Sequence, residues 1–434
     1  MRTSCTLAHI LVAALLHAQT EWHVQVLANM PVAVANNAVC AAEVDGEWYV
    51  YSFGGIGSDL DMSSIHRHCY RYDVDTDQWS ALPDLPDTLG KIASAVSVVQ
   101  GVAYVIGGYH VFNGAPFELS SDRVHRMDLT SNAWLSDGAP LPVPIDDQVQ
   151  GVWRDSLIYV VGGWSNTTNV TAVQIYDPAL DTWTAGTALP NTNFFKSFGA
   201  SGVIVGDTIY YHGGASNGFN FPARSEVRKG VIDPNDPAQI TWSLVSSCPS
   251  PSYRTAAFTL WGRPRWVGGS EVSYNYDALA YNGGTVVQPS MLLRTLDPLT
   301  DQCASTTVAL PVMDQRGIGE LDNERYVLAG GISAGAQASS GTFLISPGPA
   351  GIVHEHEEEI SLYPVPCSDE LSLSAGFVHP LHFRVADLSG RIQLEGSLPS
   401  GMRTISVSEL VPGGYVLQLF TGQHVHYLRF WSLE

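Results

Sequence analysis

Positive charge is what this 434-residue chain has least of. It holds only three lysines, Lys91, Lys196 and Lys229, and 21 lysines plus arginines against 42 acidic residues. The resulting formal charge of -21 repels phosphate backbones and anionic bilayers at long range, which excludes nucleic acid as a partner of the surface as a whole. Long apolar runs are missing too: the run from Leu7 to Leu16 is too short to cross a bilayer as a helix, so an integral membrane protein is not expected. Cysteine is scarce, and none of the six stands in the C-x-x-C spacing of a zinc ribbon or redox dithiol. Catalytic signatures are absent as well, with no G-x-S-x-G elbow, no H-E-x-x-H and no Walker loop.

What the chain does have is glycine (41), proline (25) and apolar runs dominated by Val, Tyr, Thr and Trp, a composition that favours strands and turns and predicts an almost all-β protein. The first eighteen residues, one Arg, a short apolar run and a small residue at Ala18, read as a secretory signal peptide. Composition then divides the rest into residues 19–348, an acidic linker at 349–359 and a last module at 360–434. Past the leader, Cys40, Cys69, Cys248, Cys303 and Cys367 are odd in number, and their pairing stays open.

Paired glycines end an apolar run six times, at Gly54-Gly55, Gly107-Gly108, Gly162-Gly163, Gly213-Gly214, Gly268-Gly269 and Gly330-Gly331. A recurrence every 51 to 62 residues fits one four-stranded sheet per repeat. After the first four pairs come Trp79, Trp134, Trp183 and Trp242, each followed seven or eight residues later by a proline. In the fifth repeat Cys303 stands at the tryptophan position, which predicts thinner packing there, and the sixth lacks the tryptophan altogether. Trp22, nine residues before Pro31, supplies the missing outer strand from the other end of the chain.

This double-glycine, tyrosine and tryptophan pattern resembles the kelch repeat. The resemblance implies a six-bladed β-propeller over residues 19–348, closed by the N-terminal strand. The last 75 residues resemble the type A sorting domain of the type IX secretion system, a small β-sandwich, through Tyr363-Pro364 with Pro366, Asp387 with Gly390-Arg391, and Leu410 with Gly414-Tyr415. That resemblance implies export across a bacterial outer membrane, with the secretion machinery as a partner.

Strand alternation sorts the loops onto two faces. The turns between third and fourth strands gather aspartates such as Asp73, Asp77, Asp128, Asp177 and Asp181, read as turn formers rather than calcium ligands. On the other face, near the start of each innermost strand, stand Asn37, Lys91, Gln148, Lys196, Arg254 and Arg316, with Tyr109, Trp164 and the aromatics of the fifth-repeat insertion nearby. Cations and amides beside aromatic planes predict a site at the channel mouth for an extracellular ligand, a glycan or an acidic group on one. Asp147 and Asp314, adjacent to these positions, are the anions that would neutralise it. No metal and no cofactor is expected: His354 and His356 sit in the acidic linker, and His66 and His68, which strand alternation puts on one side beside Cys69, offer at most a surface metal site. Kelch-type propellers include copper oxidases, whose ligand set is not assignable here, and sialic-acid epimerases. A sugar epimerase or mutarotase is therefore an alternative function, with Glu226 and His110 as acid/base candidates, and a protein-interaction scaffold is another.

Overall fold

The computed structural model describes residues 21–322, 324–348, 362–363, 367–373, 381–387, 391–421 and 424–433. The expected signal peptide at 1–18, the linker at 349–359 with His354 and His356, and Pro364, Pro366 and Gly390 of the last module lie outside the described residues. The chain divides into two compact units, residues 1–348 and 349–434.

The first unit contains six antiparallel sheets whose main path is four strands long. Five follow chain order, beginning with the innermost strands Ala38–Val44, Ile92–Val99, Val149–Trp153, Phe198–Val205 and Ala256–Leu260. The sixth takes Gly319–Glu320, Tyr326–Ala329 and Thr342–Pro347 from the end of the unit and Trp22–Leu27 from its beginning. Trp22 pairs with Pro347 and Leu27 with Thr342, so the N-terminal strand occupies the outer position that Trp22 predicts. The second sheet also carries a short extra strand, Glu118–Ser120, on Val102–Val111.

Adjacent sheets share apolar cores in turn. Tyr51 and Phe53 pack with Ala103 and Val105, Tyr104 and Ile106 with Ile158 and Val160, and Tyr159 and Val161 with Ile209 and Tyr211. Trp266 then meets Tyr210, Phe258 meets Tyr326 and Phe343, and Val327 meets Val50. Burial of one face of each sheet against the next supplies the driving force, at about 25 cal/mol per Å² of apolar surface removed from water.

The sequence pattern has direct mechanical causes. Gly163 has φ +100°, and a Cβ there would come within 2.6 Å of the Asp146 carbonyl oxygen, so only glycine lets the strand end this close to its neighbour. Each outer-strand tryptophan donates its indole N–H to a carbonyl of the preceding repeat: Trp79 to Ala28, Trp134 to Pro83, Trp183 to Ala139 and Trp242 to Thr187, at 2.8 to 3.1 Å. Asp77 and Asp181 accept the hydroxyls of Tyr72 and Tyr176 and a backbone N–H of the preceding repeat, which makes them seam residues rather than free turn carboxylates.

The fifth repeat, where Cys303 predicts thinner packing, has the smallest apolar core at its seam with the fourth sheet and adds a covalent bond there. Cys303 is disulfide-bonded to Cys248 on the last strand of the fourth sheet, 55 residues earlier. Trp242 reaches Thr187 across the same interval, so a covalent bond stands where the other repeats use an indole hydrogen bond. Cys40, Cys69 and Cys367 are buried free thiols.

In the second unit, one sheet orders Leu362–Tyr363, Glu370–Leu373 and Thr404–Ser406, and the other Ile392–Leu398, Leu381–Asp387, Gly413–Thr421 and His424–Ser432. Leu371, Leu373 and Ile405 of the first share a buried core with Phe383, Val385, Leu417, Leu419 and Phe430 of the second. Of the motif residues, Asp387 shapes a turn by accepting the Arg391 N–H at 3.1 Å, and the Tyr415 hydroxyl donates to the Val411 carbonyl.

Candidate functional site

At the start of each innermost strand or up to five residues before it, the backbone turns through a left-handed residue: Asn36 (φ 56°), Ala93 (56°), Asp147 (51°), Gly199 (65°), Arg254 (50°) and Asp314 (68°). Backbone hydrogen bonds link these turns from sheet to sheet. Asp147 N–H donates to Ala93, Gly199 to Asp147, Arg254 to Gly199 and Gln315 to Arg254, all at 2.8 to 3.1 Å, while Ala93 N–H donates to the Asn36 side chain. Left-handed turns at non-glycine residues cost energy, and the inter-sheet bonds offset it.

On this ring sits a buried ion cluster that joins three sheets. Arg254 reaches Asp147 Oδ2 at 2.8 Å and Asp314 Oδ1 at 3.1 Å, and Arg316 reaches Asp147 Oδ1 at 3.1 Å. Burial alone would raise the Asp147 carboxyl, but the two guanidiniums overcome it and hold Asp147 below the usual carboxylate range. Asp314, equally buried and with a weaker claim on Arg254, is pushed up, and the Tyr274 hydroxyl lies 3.3 Å from it. The Arg254 guanidinium also lies over the rings of Tyr253 and Tyr274, at 5.1 and 5.5 Å.

Above the cluster opens a cavity of about 190 Å³. Tyr109, Trp164, Phe198, Phe221 and Tyr281 form its apolar walls, and Glu118, Asp146, Asp147, Arg254 and Asn275 its polar ones. The rings meet edge to face, Trp164 with Phe221 at 5.6 Å and Phe221 with Tyr281 at 5.1 Å, which fixes the walls. The extra strand of the second sheet delivers Glu118 and Ser120. Ser120 Oγ donates to Asp146 Oδ2 at 2.5 Å, and Asp146 lines the cavity. Burial and the neighbouring Asp147 push the Asp146 carboxyl well above the usual carboxylate range. Desolvation also raises Glu118.

The Kelch motif matches residues 49–86 and 154–190. The first unit carries kelch motifs in a propeller-like all-β fold. Kelch-like protein terF of Aspergillus terreus is 25% identical over 303 residues, 67% of this chain and 59% of that protein. Kelch-like protein 25 of Xenopus tropicalis is 28% identical over 163 residues, 36% of this chain, and the matched stretch is 24% of that protein's length. Among solved structures, YjhT superposes with a TM-score of 0.58 at 16% identity, covering 76% of this chain and 98% of that one. A copper-bound fungal alcohol oxidase of the AA5 family gives 0.51 at 15%, covering 96% and 100%. Likeness at these identities shows the fold alone.

The propeller brings only part of the predicted site together. Tyr109, Trp164 and Arg254 line the mouth cavity, but Arg254 is 1% exposed and already holds two carboxylates. Gln148 and Arg316 line the channel below. Asn37 donates to Ser52 Oγ and the Ala329 carbonyl within the wall. Lys91, also 1% exposed, pairs with Asp87 at 3.6 Å in a separate cluster, where His125 lies 3.1 Å from Asp87 and 2.9 Å from Asp137. Burial lowers Lys91 to about 8. Lys196, half-buried, lines neither cavity. The predicted ring of equivalent free cations is therefore not formed. Counted from the left-handed residue of each repeat, the six predicted positions scatter from three before it to two after it.

Glu226 is spent on Arg224, and His110 lies 3.7 Å from Asp87. His66 and His68 do stack, at 4.9 Å, but His68 Nδ1 contacts Asp84 at 3.0 Å and burial lowers His66 to about 4. Among the described residues no group of three or more His, Cys, Asp or Glu is arranged to hold a metal ion.

The channel beneath the cluster encloses about 300 Å³ lined by all six sheets, including Gln150, Ser97, Ser201 and Glu320. Glu320 is open to channel water, yet the surrounding walls desolvate it and raise its pKa to about 7. A folded-state pKa raised above the unfolded value near 4.5 costs stability as pH rises through the interval from 4.5 to 7. Glu320→Gln should thus raise the melting temperature at pH 8 by about 2 °C and leave it unchanged at pH 4.5, as read by calorimetry at the two pH values.

Proposed function

We propose that this chain is a secreted, six-bladed kelch propeller whose mouth cavity binds a neutral glycan. One observation carries the ligand class: five aromatic walls meet carboxyl and amide edges around a cavity whose only cation is already shared by two aspartates. A sugar ring presents apolar C–H faces and hydroxyl edges, which suits such walls. A carboxylated sugar would have to compete with Asp147 and Asp314 for Arg254 and would face Glu118, so the geometry favours a neutral ligand over the acidic one suggested by the sequence. At about 190 Å³ the cavity has room for one sugar ring and not for a drug-sized molecule.

Six sheets with shared cores in rotation support the blade count. The Cys248–Cys303 bond supports secretion, since disulfides persist in oxidising compartments. We assign residues 360–434 to export, on the sequence elements given above and the two-sheet core that carries them.

A neutral-glycan array should show binding by the wild type and at least about tenfold weaker binding by Trp164→Ala and by Glu118→Gln. Glu118 is exposed, so its variant keeps the fold. Absence of binding by the wild type, or affinities unchanged in both variants, would sink the proposal. A second reading, a sugar mutarotase, is favoured by Asp146, a buried carboxyl pushed well up that lines the cavity together with Glu118 and suits a general acid. Anomer exchange followed by NMR on the sugars the array returns separates the two readings.

A further inference from the structure

The loop Gly218–Ala223 follows the fourth glycine pair and carries two exceptional residues in succession. Asn220 (φ 63°) and Phe221 (φ 45°) are both left-handed, a conformation that a bulky aromatic residue rarely adopts. The strain is held by specific bonds: Ser216 N–H donates to the Pro222 carbonyl at 3.1 Å, and Ser273 Oγ donates to the Phe221 carbonyl at 2.5 Å. Its effect is to separate neighbouring aromatic rings. Phe221 enters the walls of the mouth cavity, while Phe219, two residues earlier, is 93% exposed. Phe219 belongs to none of the apolar cores.

The same loop and the fifth-repeat insertion line a second cavity of about 310 Å³. Phe219, Pro222 and Val272 give it apolar surface, and Asn220, Ser273 and Asn282 give it hydrogen-bonding edges. Its ionisable group is Glu271, which lies 3.7 Å from Arg294, so nothing there attracts an anion. Both cavities thus alternate apolar planes with neutral or acidic edges, and they share two loops tied together by the Ser273–Phe221 bond.

We infer that the second cavity is a further subsite, and that the ligand is a linear neutral oligosaccharide. Its first unit occupies the Trp164 cavity, and its next units pass over the Phe219–Phe221 loop onto the Phe219 ring. This rests on the glycan reading of the mouth cavity. A chain of two or more units uses both cavities, whereas a single sugar uses the first alone.

The test is titration calorimetry on the full chain with neutral hexose and N-acetylhexosamine oligomers of one to six units, in the linkage series that binds best. Wild-type affinity should rise about tenfold between one and three units and then level off. Phe219→Ala should abolish that rise and leave the single-unit affinity unchanged, and Phe219→Trp should restore it. Because Phe219 is exposed, neither variant threatens folding. Affinity independent of length, or a length dependence that survives Phe219→Ala, overturns the second subsite while leaving the first standing. Wild type that binds no oligomer overturns both.

Discussion

Replacing Arg254 with methionine should destabilise the propeller by about 3–5 kcal/mol, the range observed when one partner of a buried ion pair is removed. Arg254 is 1% exposed and serves Asp147 of the third repeat and Asp314 of the sixth, so its removal strands charge in a place water does not reach. Asp147 keeps Arg316, but Asp314 keeps only the Tyr274 hydroxyl. The loss should depend on pH, with a sign that identifies its cause. In the wild type, Asp147 is held below its unfolded pKa, so its contribution is present above about 3.8 and fades as pH falls. In the variant both carboxyls rise above their unfolded values, and their cost grows as pH climbs. Urea unfolding should therefore show a larger defect at pH 8 than at pH 5, and Arg254→Lys should recover only part of it, because an ammonium cannot span two carboxylates as the guanidinium fork does. A defect under about 1 kcal/mol, or one equal at both pH values, would mean that the cluster does not hold the ring together through charge.

That cluster also marks where the sequence stops being readable. The glycine pairs and the outer tryptophans are legible because each acts within a repeat or on its immediate neighbour. Gly163 must clear the Asp146 carbonyl, and Trp183 must reach Ala139. Both demands recur at every seam and leave a period. Trp22 is legible for the same reason, as an outer-strand residue without a sheet of its own. The mouth obeys no such repeat. Arg254 finds Asp147 at a separation of 107 residues and Asp314 at 60, and neither interval is fixed by the period. Lys91 and Arg254 fall at similar distances before their glycine pairs, yet one faces Asp87 and the other the channel axis, since connecting segments vary by several residues from repeat to repeat. A left-handed Asn36 or Asp147 is in character for its residue type, but Ala93 and Arg254 give no hint of the same backbone. Glu118 and Asp146, two of the cavity's carboxyls, follow no period either. Their signal was at most the extra strand Glu118–Ser120, too short to register as a pattern.

Removing the Cys248–Cys303 bond by a double serine substitution should cost about 4 kcal/mol on the chain-entropy estimate for a loop of this length. The structure says where the loss will appear. The seam between the fourth and fifth sheets has the smallest apolar core of the six: Tyr210, Val227, Cys248, Trp266 and Leu296, with His212 and Arg294 buried alongside. Polar atoms of these two lack hydrogen-bond partners, among them His212 Nε2 and Arg294 Nη1, so this small core also carries a desolvation cost. The covalent bond offsets that cost from the outer edge, where the other repeats manage with an indole. Hydrogen exchange on the double-serine protein should accordingly rise in Asp236–Ser252 and Gln302–Thr307 and stay low in the Tyr104–Tyr176 seam. Reduction of the wild type should reproduce the pattern. Restoring the common solution, Cys303→Trp with Cys248→Ser, should recover part of the stability, because Trp242 already makes the corresponding reach to Thr187 across the same 55 residues. Exchange that rises evenly around the ring would instead mean that the bond acts only on the unfolded chain, and the buried Arg294 of the seam would then need another source of compensation.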